Sequence, residues 1–142
     1  MANTTATTKI TINASPKKIW EALTNPKLVK HYLFGTDMTA AWEKGGTVLY
    51  RGEWKGQRYQ DIGVVLEIEP EHILVMDYFS PASGKPDVPE NHQAITYLIT
   101  AHDHATTLTI TQDNNADEAA TKKSEDNWHS VLLSLKKLVE EK

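Results

Sequence analysis

The chain has 142 residues, of which 39% are hydrophobic and 24% charged, and its formal net charge is −4. These values are typical of a folded globular domain, and the length suits a single hydrophobic core. We therefore predict one domain over residues 1–142, with a frayed threonine-rich start at 1–7. The negative charge and the absence of a basic cluster argue against nucleic-acid binding.

Cysteine content and hydropathy limit the chemistry and the location of the protein. The sequence has no cysteine, which excludes disulfides and thiolate metal sites. Its first residues lack the basic and apolar regions of a signal peptide. The longest aliphatic run, Ile73–Met76, is far shorter than the roughly 20 residues that span a bilayer. We expect no membrane span and a cytoplasmic location.

The first part of the chain predicts a strand followed by two short helices. Lys9–Asn13 alternates polar and apolar residues, as a half-buried strand does. Ser15 before Pro16, and Asn25 before Pro26, each combine a helix-capping residue with a proline at the first helical position.

From residue 37 the hydrophobic period changes to two, which indicates strands joined by short turns. Met38, Ala40 and Trp42 alternate with polar neighbours, and a loop rich in proline is predicted at 80–90. In the strand that begins at Tyr59 we expect the apolar residues of even number to share one face. Further strands are predicted at Thr47–Trp54, Tyr59–Glu67, Ile73–Phe79, Gln93–Ala101 and Thr106–Gln112.

The carboxy-terminal segment predicts a long amphipathic helix. Asn115 and Glu118 have the spacing of a capping box, and a helix from Ala116 to Glu141 would be about 39 Å long. Only a curved sheet would cover the apolar stripe of such a helix. The class is therefore α+β, with an antiparallel sheet wrapped around this helix. The stripe consists of Trp128, Val131, Leu132, Leu135, Leu138 and Val139.

Four segments resemble the START-like (SRPBCC, Bet v 1-like) superfamily, and within it the activator of heat-shock chaperone ATPase homologue (AHSA) family. They are the segment 14–26 after a strand, Gly45-Gly46 before a strand, the segment 63–70, and Asn127-Trp128 in the last helix. The likeness covers about residues 8–141 and is to the bacterial stand-alone type. The chain departs from the pattern at residues 31–34, His-Tyr-Leu-Phe, where many members place Trp-Phe.

The resemblance implies a helix-grip fold. In this fold a sheet of about six or seven strands curves around the last helix, two short helices follow the first strand, and a cavity lies between sheet and helix. Eukaryotic activators carry an additional amino-terminal domain that contacts the chaperone, and we expect no such domain here. The fold alone specifies neither a ligand nor a reaction.

The aromatic residues of the strands predict what such a cavity contains. If alternation sets the inward face, large polarizable side chains and three tyrosine hydroxyls point at the helix, as in many small-molecule pockets. The alternative is that these residues only fill the core. Phenols buried without partners would cost about 1–3 kcal/mol each, which water or a ligand would relieve. The candidate ligand-binding residues are Phe34, Met38, Trp42, Tyr50, Met76, Tyr78, Tyr97, Trp128 and Leu132.

Residues with metal-binding or acid–base chemistry form no strong pattern. His102 and His104 offer two ligands at a turn without a third nearby, so we interpret them as solvated. Asp77 is expected on the outer face with Arg51 or Lys55 as partner, the alternative being a buried general base. No phosphate loop or nucleophile motif is present. We predict no catalytic residue, metal or cofactor.

The leading prediction is non-catalytic binding of a small apolar or aromatic molecule between the sheet and the last helix. One alternative is an enzyme that uses the same cavity, as some START-like proteins do. The other is a chaperone co-factor or protein-interaction module in the stress response, as the resemblance to the AHSA family implies.

Overall fold

The structure, a computed structural model, describes residues 4–33, 35–54, 56–80 and 84–140. Within these ranges seven strands form one antiparallel sheet. The strands are β1 Ala6–Ile12, β2 Asp37–Ala40, β3 Thr47–Trp54, β4 Gln57–Glu69, β5 Ile73–Phe79, β6 Gln93–Ala101 and β7 Thr106–Gln112. The helices are α1 Pro16–Thr24, α2 Pro26–Tyr32 and α3 Glu118–Glu140.

The strands follow the order β1-β7-β6-β5-β4-β3-β2. From β2 to β7 each strand pairs with its neighbour in sequence, whereas β1 crosses over to pair with β7. All three helices contribute residues to the core that the sheet covers. The predicted α+β helix-grip fold is therefore confirmed. The strand β1 begins at Ala6, which is buried, so the frayed start predicted for 1–7 is too long.

The two short helices begin where their capping residues predict. The Ser15 hydroxyl accepts a hydrogen bond from the Lys18 amide, and Pro16 follows as the first helical residue. The Asn25 side chain accepts from the Lys27 amide at 3.0 Å. Since Asn25 also ends α1, a single residue sets the angle between the two helices.

The helix α3 runs alongside the edge strand β1. Glu125 accepts a hydrogen bond from the Thr7 amide at 3.1 Å, and Glu140 accepts from the Asn13 amide at 2.7 Å. Six residues of a strand and fifteen residues of a helix both span roughly 20 Å, so the two contacts are separated by similar distances along the strand and along the helix. The buried residues of α3 that face the sheet are Thr121, Leu132, Leu135 and Val139.

The prediction that the even-numbered apolar residues of β4 all share one face is wrong at Ile68. Val65 is buried, whereas Leu66 is 45% exposed, so the odd-numbered residues face the core in this part of the strand. Gly63 occupies the inward position before Val65, where a Cβ would lie 3.4 Å from the Met76 sulfur. A bulge between Val65 and Glu67 then returns Ile68 to the core side.

The predicted capping box of α3 is also wrong. The helix begins at Glu118, and the Asp117 carboxylate accepts from the Ala120 amide at 2.8 Å. Asn115 is buried and donates to the carbonyl groups of Thr4 and Gln112. Its side chain therefore joins the amino-terminal segment to the end of β7 and is not available to the helix.

The structure also bears on membrane insertion. None of the helices in the ranges given above is both long enough and apolar enough to cross a bilayer.

Candidate functional site

A cavity of about 900 Å³ lies between the sheet and α3. Its volume is within the range of roughly 300–1,000 Å³ that is usual for small-molecule sites. The floor is formed by neighbouring strands β3 to β7, and Trp128 of α3 contributes from the opposite side. The described residues that line it are Leu33, Thr36, Tyr50, Glu53, Gln57, Arg58, Tyr59, Asp61, Met76, Tyr78, Ser80, Ile95, Tyr97, Gln112 and Trp128.

Aromatic rings form the apolar part of the cavity wall. Tyr97 of β6 and Trp128 of α3 meet edge to face, with ring centroids 6.0 Å apart and planes at 89°. This arrangement is favourable because the positive edge of one ring points at the negative face of the other. The phenol groups of Tyr50 on β3 and Tyr97 on β6 interact electrostatically with one another, and both line the cavity.

The tyrosine hydroxyls are neutral hydrogen-bonding groups at physiological pH. Burial raises the pKa of Tyr97 well above its ordinary value, and the neighbouring Tyr50 adds to this effect. Burial likewise raises the pKa of Tyr50, and also that of Tyr32, which lies in the core and not among the described lining residues. Protonated phenols both donate and accept, so this part of the wall can bind a polar group on an otherwise apolar molecule.

The carboxylate of Asp61 forms the polar end of the cavity. The Tyr78 hydroxyl donates to one carboxylate oxygen at 2.7 Å, and the Ser80 hydroxyl donates to the other at 2.6 Å. The pKa of Tyr78 is raised by burial and, second, by this carboxylate. Each oxygen keeps lone pairs beyond the one already used, so Asp61 can accept further hydrogen bonds.

Tyr59 closes the cavity on the side of α2. Its hydroxyl is hydrogen-bonded to the Thr36 hydroxyl, in the connection between α2 and β2. Its register partner on β3 is Gly52, and a Cβ at that position would lie 2.6 Å from the ring carbon that bears the hydroxyl. The absence of a side chain at Gly52 therefore allows the ring to lie across the strand.

A chain of amide groups joins α3 to the strands at the other end of the cavity. The Trp128 indole donates to the Gln112 side-chain oxygen at 2.7 Å, and the Ser124 hydroxyl donates to the same atom. The Gln112 amide nitrogen donates in turn to Gln93 at 2.6 Å. This chain fixes the orientation of the Trp128 ring relative to β6 and β7.

The structure brings together five of the nine candidate residues. Met38 and Leu132 are buried in the core and are not among the described lining residues. Trp42 lies beyond the end of β2, because the chain turns there, and its indole donates to the Thr24 carbonyl. Phe34 lies outside the described residues. Those that line the cavity are Tyr50, Met76, Tyr78, Tyr97 and Trp128.

The sequence interpretation missed the polar lining residues. Asp61 and Tyr59 lie on the inward face of β4, a strand on which the sequence interpretation named no candidate residue. The signal that could have placed them is Gly63, since a glycine inside a strand often marks a position that a neighbouring side chain approaches. Ser80 and Gln112 lie at strand ends, where alternation carries no information about a partner.

On the opposite face of the sheet, Asp77 has a partner that differs from the predicted ones. Its carboxylate lies 2.6 Å from Nδ1 of His92, while Arg51, one of the predicted partners, is bonded to Gln60. Lys55, the other, lies outside the described residues. The second ring nitrogen of His92 lies 2.5 Å from the Asp87 carboxylate, and the ring stacks on Phe79. These groups do not line the cavity.

Comparison with solved structures shows proteins of the same fold. The solution structure of ChR145 from Cytophaga hutchinsonii is 43% identical, covers 99% of this chain and 96% of its own, and has a TM-score of 0.86. The Aha1 dimer from Colwellia psychrerythraea is 22% identical over 96% of each chain, with a TM-score of 0.74. CalU16 from Micromonospora echinospora is 16% identical, over 96% of this chain and 76% of its own, with a TM-score of 0.75.

Sequence comparison identifies the family. No curated protein matches the chain. The family model described as "Activator of Hsp90 ATPase homolog 1-like protein" matches residues 13–140, which extends from the end of β1 to the end of α3. The protein is therefore a member of the activator of Hsp90 ATPase homologue 1-like family.

Proposed function

We propose that this protein binds a small apolar or aromatic molecule, without converting it, in the cavity between the sheet and α3. The observation that carries the proposal is the cavity of about 900 Å³ with an aromatic wall. A filled core would leave no such volume, since protein interiors are packed as densely as organic crystals.

The arrangement of polar groups supports binding rather than catalysis. Raised pKa values keep Tyr50, Tyr78 and Tyr97 protonated at neutral pH, so these hydroxyls do not act as bases there. The Asp61 carboxylate already accepts two hydrogen bonds, from Tyr78 and Ser80. Such groups orient a ligand within an apolar site.

The proposal is tested with a variant whose larger side chain fills the cavity, and with a control variant on the other face of the same strand. Ile95 is 3% exposed and lines the cavity, whereas Leu98 on the same strand is 43% exposed. The variants Ile95→Phe and Leu98→Phe make the same kind of change on the two faces of β6. The probe is 1-ethylnaphthalene, an aromatic hydrocarbon without polar groups.

We expect the probe to raise the melting temperature of the wild type and of Leu98→Phe but not that of Ile95→Phe. A ligand at 100 times its Kd stabilises the folded state by about 2.7 kcal/mol, which shifts the melting temperature by several degrees. Melting curves without probe establish that each variant folds. The proposal is wrong if the probe and a panel of other apolar aromatics leave the wild type unchanged, or if Ile95→Phe responds as the wild type does.

A second candidate function follows from the family match. The family description names activation of the Hsp90 ATPase, so a chaperone partner is the alternative to a small ligand. The measurement is the ATP turnover of an Hsp90-type chaperone from the same organism with and without this protein. Unchanged turnover, together with no retention of the chaperone in a pull-down, would eliminate this candidate.

A further inference from the structure

The charges on the cavity wall are unevenly distributed. Among the described lining residues, Asp61, Glu53 and Arg58 carry formal charges. Glu53 and Arg58 are exposed, lie opposite one another in the β3–β4 ladder near its end, and have opposite signs. They therefore offset one another at the mouth. Asp61 is only partly exposed, so its carboxylate dominates the potential inside.

The partners of Asp61 position its carboxylate without neutralising it. Tyr78 and Ser80 are uncharged donors, and the ion pairs formed by the described residues do not include Asp61. A carboxylate of this kind forms its strongest hydrogen bond with a cationic donor, because a hydrogen bond to a charged group is about twice as strong as a neutral one. An anionic group in the same place would meet a like charge.

We propose that the cavity prefers an aromatic molecule carrying a protonated amine, whose ammonium group donates a hydrogen bond to the Asp61 carboxylate. The cavity then discriminates against aromatic carboxylates. The aromatic body of such a ligand would lie against the rings of Tyr97 and Trp128, whose faces also attract cations. This inference rests on the proposed function, since it concerns the ligand class of the same cavity.

The experiment compares four probes that share one aromatic body. They are 2-(1-naphthyl)ethylamine, which is cationic at pH 7, 2-(1-naphthyl)ethanol, 1-naphthylacetate and uncharged 1-ethylnaphthalene. Affinities are measured by calorimetric titration at pH 7 and low salt, where screening is weakest. For the wild type we expect the amine to bind at least about tenfold more tightly than the carboxylate, with the alcohol between them.

Two substitutions assign the preference to Asp61. Asp61→Asn removes the charge with little change of shape, and we expect the amine and the alcohol then to bind within about twofold of each other while 1-ethylnaphthalene is unaffected. Glu69→Gln is the matched control, because it removes one negative charge from an exposed position on the same strand. It should leave the order of the probes as in the wild type.

A third variant covers the case in which Asp61→Asn does not fold. Tyr78→Phe keeps the carboxylate but removes one of its donors, so the preference for the amine should persist or increase. The inference is overturned if the carboxylate binds the wild type as tightly as the amine, or if folded Asp61→Asn keeps the wild-type ratio. Binding of 1-ethylnaphthalene without any charge preference overturns this inference alone. If none of the four probes binds, this inference fails, and the proposed function fails as well when the panel of other apolar aromatics also leaves the wild type unchanged.

Discussion

The ring of Tyr59 lies across Gly52, its partner on the neighbouring strand, and its hydroxyl reaches Thr36. The sheet is joined in this way to the connection between α2 and β2, on one side of the cavity. A methyl group at Gly52 would occupy the space of the tyrosine ring, so the glycine is required here for space and not for a special backbone angle.

We predict that Gly52→Ala destabilises the protein by about 1–3 kcal/mol, the usual cost of forcing an extra group into a filled position. The measurement is urea unfolding followed by circular dichroism. The control is the same substitution in a Tyr59→Ala background, where the ring is absent. There Gly52→Ala should be neutral or stabilising by about 0.4–1 kcal/mol, since alanine restricts the unfolded chain. Equal destabilisation in both backgrounds would contradict the steric explanation.

His92 lies between two carboxylates, so both of its ring nitrogens face acceptors. The distances are 2.6 Å to Asp77 and 2.5 Å to Asp87, and only the imidazolium form donates at both nitrogens. The hydrogen bonds to Asp87 and then to Asp77 raise the pKa of His92 above its ordinary value. The charged form is therefore favoured in the folded state.

This geometry predicts a stabilising contribution that depends on pH. Because the pKa of His92 is higher in the folded than in the unfolded chain, the contribution is complete below about pH 6.5 and is lost as the pH rises through the folded pKa. The difference in unfolding free energy between the wild type and His92→Gln should thus shrink between pH 5.5 and 8.5. A constant difference would exclude the linkage. Asp87→Asn should lower the pKa of His92 measured by NMR.

Alkaline titration tests the environment of the tyrosines whose pKa is raised. Burial raises the pKa of Tyr32, Tyr50, Tyr78 and Tyr97, which are four of the five tyrosines in the chain. Above about pH 10 the unfolded chain loses these protons while the folded chain keeps them, so stability falls as the pH rises. Absorbance at 295 nm should show their ionisation only together with the loss of circular dichroism. Tyr78→Phe should reduce the absorbance change at 295 nm by the amount due to one tyrosine. Ionisation of all four tyrosines in the folded chain would contradict the prediction.

The start of α3 allows a simple test of helix capping. Asp117→Ala removes the acceptor for the Ala120 amide and should cost about 1 kcal/mol of stability. Asp117→Asn keeps an acceptor and should cost less, since asparagine caps helices as well as aspartate does. Chemical denaturation measures both variants. If Asp117→Ala had no effect, another group would have to satisfy that amide.

Local patterns predicted most of the elements of the fold because each has a local cause. The strands β3, β5, β6 and β7 have the bounds that period-two alternation and turn residues indicate, and Ser15 and Asn25 cap the helices as expected. The side of Ile68 in β4 was predicted wrongly because a bulge shifts the alternation after Val65. The inward face of this strand gave no apolar signal at residue 63, because a glycine has no side chain.

The polar features of the site depend on contacts between distant parts of the chain. Asp61 is bonded to Tyr78 and Ser80, which are 17 and 19 residues away in sequence. Trp42 alternates correctly with its neighbours, yet the strand ends before it and its indole turns to α1. Such partners follow from register and strand ends, which a single sequence does not specify.

The pairing of β1 with β7 constrains the order in which the protein can assemble during translation. β1 is synthesised before the other six strands, and it finds its neighbour only after residues 106–112 have followed it. The carboxylates at positions 125 and 140, which accept from the amides of Thr7 and Asn13, are synthesised later still. The meander from β2 to β6 can form while the chain is growing, whereas β1 can join the sheet only once β7 is available.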